Sequence, residues 1–321
     1  MARQTTKRIT SIGGQALIEG IMMRGPKKTV VASRLSDKSI DVEDMKVTPL
    51  KEKCRIFGWP FLRGIAGLIE SMTIGYRALG ISADKAGVDE EAELSKFDQW
   101  CNRVFGDKLM PVIMAVAGVF GVCIAIGLFF FLPVLLFNGI KWLAGSPESL
   151  EFWRSTIEGV TRILIFLLYL VIISAIPSVH RMFRYHGAEH KTIFCYENQE
   201  ELTVENVRKY QRFHPRCGTS FMVLMLIVGI IVGFFIPFQD PILRGFCKVL
   251  CLPICVSLGY ELIRICGRHD NIVTRIIAAP GMWMQRVTTK EPDDEMIEVA
   301  IAAIQEVIPE NGEDLTCPCR K

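Results

Sequence analysis

Apolar residues in this chain come in long blocks rather than at every second or third position. Leu109 to Ile140, Ile157 to Pro177, Ser220 to Phe238 and Arg244 to Cys266 are each long enough to cross a bilayer as a helix. The pattern predicts a mainly α-helical integral membrane protein with about four transmembrane helices. The first block would measure about 48 Å as one helix, against a hydrocarbon core of ~30 Å. A tilt, an interfacial portion or a kink near Pro133 is therefore expected. Gln239-Asp240-Pro241 joins the third and fourth blocks tightly, which predicts a transmembrane hairpin.

The rest of the chain divides around these blocks. Residues 1–55 read as a cytoplasmic β-hairpin-like region, with strand candidates at Gly13–Pro26, Lys28–Leu35 and Ser39–Val42. Arg24-Gly25-Pro26-Lys27 is the expected hairpin turn, and Gly13-Gly14 reads as turn chemistry. Glu19 and Gln15 are candidates to face a site. In residues 56–108 an apolar helix, Phe61 to Ala83, precedes a charged linker. Arg63, Glu70 and Arg77 recur every seven residues and draw one polar line along that helix. Such a helix suits the bilayer interface, a polar cavity or an ordinary soluble packing face. Residues 109–177 hold the first two spans, 178–219 a polar cytoplasmic loop, and 220–266 the hairpin. Residues 267–321 hold an interfacial segment, an amphipathic helix and a tail. Ile276 to Met284 is too short to span and carries Trp283, so it is expected to dip into or lie on the membrane. Glu291-Pro292-Asp293-Asp294-Glu295 should open a helix whose apolar stripe is Met296, Val299, Ala300, Ile304, Val307 and Ile308.

Composition fits this picture. Half the residues are hydrophobic, above the usual soluble range, and a formal charge of +3 gives no ground for a nucleic-acid partner. Eleven cysteines are scattered, several inside apolar blocks, without a disulfide framework; a reducing compartment is expected. The basic N-terminus lacks the apolar core of a cleaved signal peptide. Eighteen Lys and Arg precede residue 109 and seven lie in 178–219, whereas the intervening loops carry only Lys141, Arg154 and Arg244. The positive-inside bias puts both termini and residues 178–219 in the cytoplasm. The chain is thus expected in a membrane with its termini on the cytoplasmic side, with the lipid bilayer as its first partner.

The candidate chemistry lies in Tyr185-His186-Gly187-Ala188-Glu189-His190-Lys191. On a helix, His186 and His190 stack on one face, as the first two ligands of a zinc-type divalent ion require. His-x-x-Glu-His is the inverted zinc-hydrolase spacing, with Glu189 as the catalytic base. Further ligands would come from His214 and Cys217 in His214-Pro215-Arg216-Cys217, or from Glu261, an acid within an apolar block whose local partner would be Arg264. A three-ligand set of His186, His190 and either Glu261 or His214 leaves a position for water. A four-ligand set of His186, His190, His214 and Cys217 is closed and structural. Without a metal, the two histidines are interfacial residues on a basic helix. Gly187 weakens the helix somewhat.

Four blocks together resemble the YqhQ-like family of bacterial membrane proteins. They are Gly13–Ala16 with Met22–Gly25, Tyr185–Lys191, His214–Phe221, and Glu291–Asp294, and the similarity covers nearly the whole chain. The family is a domain of unknown function described as predicted metal-dependent enzymes of the membrane, so the resemblance implies a metal site. The Cys317-Pro318-Cys319 tail is not associated with it and is expected to be disordered. The leading expectation is metal-assisted hydrolysis of a peptide or lipid-linked substrate. The alternatives are a non-catalytic membrane scaffold binding protein or lipid partners, and a transporter using Glu261 and the Arg63, Glu70, Arg77 line.

Overall fold

The computed structural model describes residues 8–87, 109–145, 148–269, 271–311 and 313–315. Strands β1 (Gly13–Leu17), β2 (Gly20–Arg24), β3 (Thr29–Arg34) and β4 (Ile40–Asp44) come first. Helices α1 (Leu50–Lys53), α2 (Leu62–Lys85) and α3 (Leu109–Ile126) follow, then a π-turn at Gly127–Phe131 and α4 (Leu132–Leu143). The remaining helices are α5 (Ser149–Ser174), α6 (Pro177–Glu197), α7 (Val204–Arg208), α8 (Gly218–Phe234), α9 (Pro241–Leu250), α10 (Leu252–Arg268), α11 (Ile272–Thr288) and α12 (Asp294–Gln305). They form two compact units: unit 1 is Met1–Val88, Tyr169–Met225 and Val256–Lys321, and unit 2 is Asp89–Leu168 and Leu226–Cys255.

Unit 1 is built on an antiparallel meander in the order β1-β2-β3-β4. Gly20 to Met23 and Thr29 to Ser33 are all buried. Successive strand side chains point to opposite faces, so this burial requires a cover on both. Ile21, Met23, Val30 and Ala32 pack with Tyr185, Ala188 and Phe194 of α6 and with Met296, Ala300 and Ile304 of α12. Met22 and Val31 face the other way, against Ile74 and Ala78 of α2. The sheet is therefore the middle layer of three. The segment expected as one strand, Gly13–Pro26, is itself a hairpin: Ile18 and Glu19 connect β1 to β2, with Glu19 at φ 48°. The anticipated Gly25-Pro26 turn is real and joins β2 to β3. Gly13 and Gly14 lie in β1, not in a turn.

Among the described residues, two helical stretches, Val116–Leu143 and Ser149–Ser174, are long and apolar enough to cross a membrane. There are three if the bent pair α9 and α10 counts as one span, so four is an overestimate. At 17 residues, α8 extends only about 26 Å, short of a ~30 Å core. The fourth expected span breaks into α9 and α10 with a 46° bend. Pro253 sits in the first turn of α10, where a missing N–H and fixed φ suit a fresh start rather than a continuation. Asp240 caps α9, its Oδ1 accepting from the Leu243 N–H at 2.8 Å. The long first block stays helical through its π-turn, immediately before Pro133. A proline inside a long apolar helix displaces the normal ladder, and a π-turn absorbs the mismatch.

Ile276–Met284 belongs to α11, which continues through Pro280. Ile272, Val273, Ile276 and Trp283 are exposed along it, and Leu62, Ile69, Met72 and Tyr76 are exposed along α2. The last helix starts later than the sequence suggests. Asp293 is its cap, accepting from the Met296 N–H at 3.0 Å, and Glu291-Pro292 precedes it. Cys317 and Cys319 lie outside the described residues.

Candidate metal centre

The site is positioned by α6. Pro177 occupies its first turn, where no N–H is needed, and the helix then runs 21 residues. Gly187 to Cys195 are buried without a break. Over that stretch the helix has no solvent face, so its polar residues need partners within the protein.

Those partners are specific. His186 donates its Nδ1–H to the carbonyl of Thr288 at 2.9 Å, at the end of α11. His190 donates its Nδ1–H to the carbonyl of Arg212 at 2.5 Å. A carbonyl only accepts, so both rings are held with a proton on Nδ1, and the tautomer this selects carries its lone pair on Nε2. His186 Nε2 lies 3.2 Å from Cys217 Sγ. Ligand atoms of His186, His190 and Cys217 all fall within 4.8 Å of one another. The two imidazole rings are 4.4 Å apart between centroids.

Burial pulls the His190 pKa below its ordinary value, and the neighbouring Cys217 offsets only part of the effect. Burial pushes the Cys217 thiol up, but the neighbouring His190 and Thr219 outweigh it and leave the thiol below its usual range. Thr219 Oγ1 is 3.2 Å from Sγ. Two imidazoles and a thiol shifted toward thiolate form a donor set suited to zinc, with both histidines already oriented from their far nitrogens.

Glu189 faces β1. Its Oε1 accepts the Gly14 N–H at 3.0 Å, and its Oε2 is buried without a partner. Burial pushes this carboxyl up to about 7, and His186 offsets only part of the effect. A dication at the adjacent ligands would draw it back down. A Cβ on Gly14 would stand 2.7 Å from the Met22 carbonyl and 3.0 Å from the Glu189 carboxyl carbon. The glycine in mid-strand therefore admits the carboxylate to the backbone. Gly187 has a similar reason: a Cβ there would sit 2.0 Å from the Lys290 carbonyl oxygen, where residues 289–292 cross the helix. Its helix-weakening effect accompanies a close approach no other residue permits.

His214 is near but differently engaged. Its ring centroid is 5.5 Å from that of His190. Its Nδ1 accepts the Arg216 N–H at 3.3 Å, and its Nε2 faces the buried Glu197 at 3.9 Å. Gln285, fully buried, holds this loop: its Oε1 accepts the His214 N–H at 2.7 Å, and its Nε2 donates to the His214 carbonyl at 2.7 Å and to Ser220 Oγ at 3.0 Å.

The other sequence candidates lie with other partners. Glu261 accepts from Arg63 Nε at 2.6 Å rather than from Arg264. Glu70 accepts from Arg24 at 2.5 Å and from the Leu50 N–H at 2.7 Å. Arg77 is exposed. Glu19 accepts both arms of Arg181, each at 2.5 Å, and the Tyr185 hydroxyl at 3.2 Å. The Arg181 hydrogen bond outweighs burial and holds Glu19 below the usual carboxylate range. Gly14, Gln285 and the carbonyls of Arg212 and Thr288 were not singled out as site groups. Only the paired glycines carried a signal, since a glycine inside a strand marks a close backbone approach.

Comparison with known proteins places the chain without assigning an activity. It is 34% identical over 297 residues to the uncharacterized protein YqhQ of Bacillus subtilis (strain 168), covering 92% of each chain. No solved structure matches it. Residues 59–310 match the family described as protein of unknown function (DUF1385). By that match and that relative, the chain belongs to the DUF1385, YqhQ-like family.

Proposed function

We propose that the protein is a membrane-bound, metal-dependent hydrolase, with a divalent ion held by His186, His190 and Cys217 and with Glu189 as the proton acceptor. The observation that carries this reading is the pair of Nδ1–H bonds to the carbonyls of Thr288 and Arg212. They aim two Nε2 lone pairs toward the Cys217 sulfur, an arrangement that ligation rewards and mere packing does not require. The partnerless Glu189 Oε2 also fits: a buried carboxylate oxygen left unpaired is costly unless a water, cation or proton meets it. Zinc bound there would act as a Lewis acid and lower the pKa of water toward ~7. Three protein ligands leave one position for that water. Glu189 would take the proton on Oε2 while the Gly14 N–H fixes Oε1.

The Lys/Arg bias supports a bacterial cytoplasmic membrane with both termini and this site on the inner side. The exposed apolar residues of α2 and α11 support contact of unit 1 with the bilayer surface. A peptide or lipid-linked substrate suits that setting. The test is metal analysis of the purified protein. Wild type should carry about one zinc per chain, and H186A/H190A and C217S should carry none. Metal-free wild type would rule the reading out.

A second reading is a scaffold with a structural ion, favoured by the burial of His190 and Cys217. E189Q separates the two. The hydrolase requires that this variant keep its metal yet fail to complement a deletion strain; full complementation would favour the scaffold.

A further inference from the structure

Unit 2 holds another buried polar cluster, made of formal ions. Glu158 on α5 is fully buried. It accepts from Arg154 Nε at 3.1 Å, from Arg244 Nε at 3.1 and 3.0 Å, and from Lys248 Nζ. Arg162 stands one turn further along α5 and interacts electrostatically with Glu158, Arg244 and Lys248. Arg154, Arg162, Arg244 and Lys248 are all 7% exposed or less, so four buried cations share one buried carboxylate. Arg154 also reaches Glu151, which is paired in turn with Lys141, so five cations meet two carboxylates; the excess of three positive charges lies on helices apolar enough for a bilayer, where charge is costly and marks function.

Two of the cations have further partners. Arg154 donates to Asn138 Oδ1 and to the Gln239 carbonyl, both at 2.9 Å, and to the partly exposed Glu151 at 3.3 Å. Arg244 donates to the carbonyls of Ile236 at 2.6 Å, Phe238 at 3.2 Å and Gly233 at 3.3 Å, and to Ser155 Oγ at 3.0 Å. Arg162 is only half satisfied. Its Nε donates to the Phe129 carbonyl in the π-turn at 2.6 Å, and its guanidinium lies over the Phe130 ring at 4.9 Å. Its Nη2 is buried with no partner. Lys248 has three N–H donors, one of them directed at Glu158.

A neutral ligand would leave the charge excess in place, and a cation would enlarge it. Only an anion meets both the unpaired Nη2 and the net charge. A guanidinium arm beside a rotatable ammonium suits a tetrahedral oxyanion, which offers several acceptors at once. We propose that the Glu158 cluster is a binding site for a phosphate-type oxyanion, with Arg162 and Lys248 as its donors. The phosphate of a lipid headgroup and free phosphate share this chemistry.

The test uses the full chain in a neutral maltoside detergent. One arm titrates inorganic phosphate and follows the thermal midpoint. The other uses native mass spectrometry to detect phosphatidylglycerol retained after detergent exchange. Wild type should respond in at least one arm, and R162Q should bind about tenfold more weakly or worse. A response to phosphate alone supports a free oxyanion, and retention of the lipid alone supports a headgroup. Without added anion, R162Q should be at least as stable as wild type, because an unpaired buried charge is gone. If R162Q does not fold, R162K, which lacks the second arm, carries the same comparison. No response in either arm, or equal responses from wild type and variant, overturns the proposal. An equal response to chloride overturns the oxyanion assignment.

Discussion

In unit 1 the buried polar cluster consists of ring nitrogens, a thiol and a carboxyl group. In unit 2 it consists of four cations around one carboxylate. Both are enclosed, yet they are stabilised differently. The first is oriented by backbone carbonyls and an N–H, each making a single bond to a group that can remain neutral. The second depends on mutual neutralisation, with main-chain carbonyls absorbing part of the surplus. Neutral donors can stand ready for a ligand at modest cost, whereas ions in an apolar layer need their counter-charge for the fold itself. The first cluster should therefore tolerate loss of a member, and the second should not tolerate loss of its carboxylate.

The sharpest way to break this contrast is at Glu158. E158A leaves Arg162, Arg244 and Lys248 without a carboxylate and Arg154 with Glu151 alone, and should cost about 3–5 kcal/mol, seen as a collapsed thermal midpoint or failure to accumulate in membranes. A well-folded E158A would show that the carbonyls alone suffice. Next is G187A. Its Cβ would fall 2.0 Å from the Lys290 oxygen, so residues 289–292 must move, at a cost of about 1–3 kcal/mol. Because the adjacent Thr288 carbonyl orients His186, zinc affinity should drop about tenfold or more.

Glu197 gives the pH test. Burial raises its pKa, but His214 and Arg216 outweigh burial and leave it below 4.5. A carboxylate with a depressed folded pKa contributes stability that is present above the unfolded value and lost as pH falls through the folded one. E197Q should therefore be less stable than wild type at pH 7, by about 1–3 kcal/mol, with the gap closing below pH 4.5. A gap that stays constant down to pH 3 would contradict the ionised role.

In the metal-free protein, C217S should change stability by only about 1 kcal/mol while abolishing zinc binding. That outcome would separate the tolerance of the unit 1 cluster from its ligand function. The smallest effect belongs to R181A. Its pair with Glu19 is half exposed on the arginine side, and its loss should cost under about 1 kcal/mol in chemical denaturation.

The sequence by itself determined the helical character of the apolar blocks, the β-rich N-terminus, and the spacing that stacks His186 and His190. These follow from local periodicity, which each segment carries alone. It also brought His214 and Cys217 forward, but not their different engagements, because a three-residue separation in a loop does not say which side chain turns to α6. The number of spans was overestimated for a related reason. Hydropathy counts apolar residues, whereas the break between α9 and α10 and the short α8 depend on where helices start and stop. Only the tertiary structure paired Glu261 with Arg63, brought Gly14 to Glu189, and carried Arg244 and Lys248 of α9 to Arg154, Glu158 and Arg162 of α5. It alone supplied the carbonyls of Arg212 and Thr288 that aim the two imidazoles. Every residue type has a backbone carbonyl, so nothing in the sequence marks the two that orient the site.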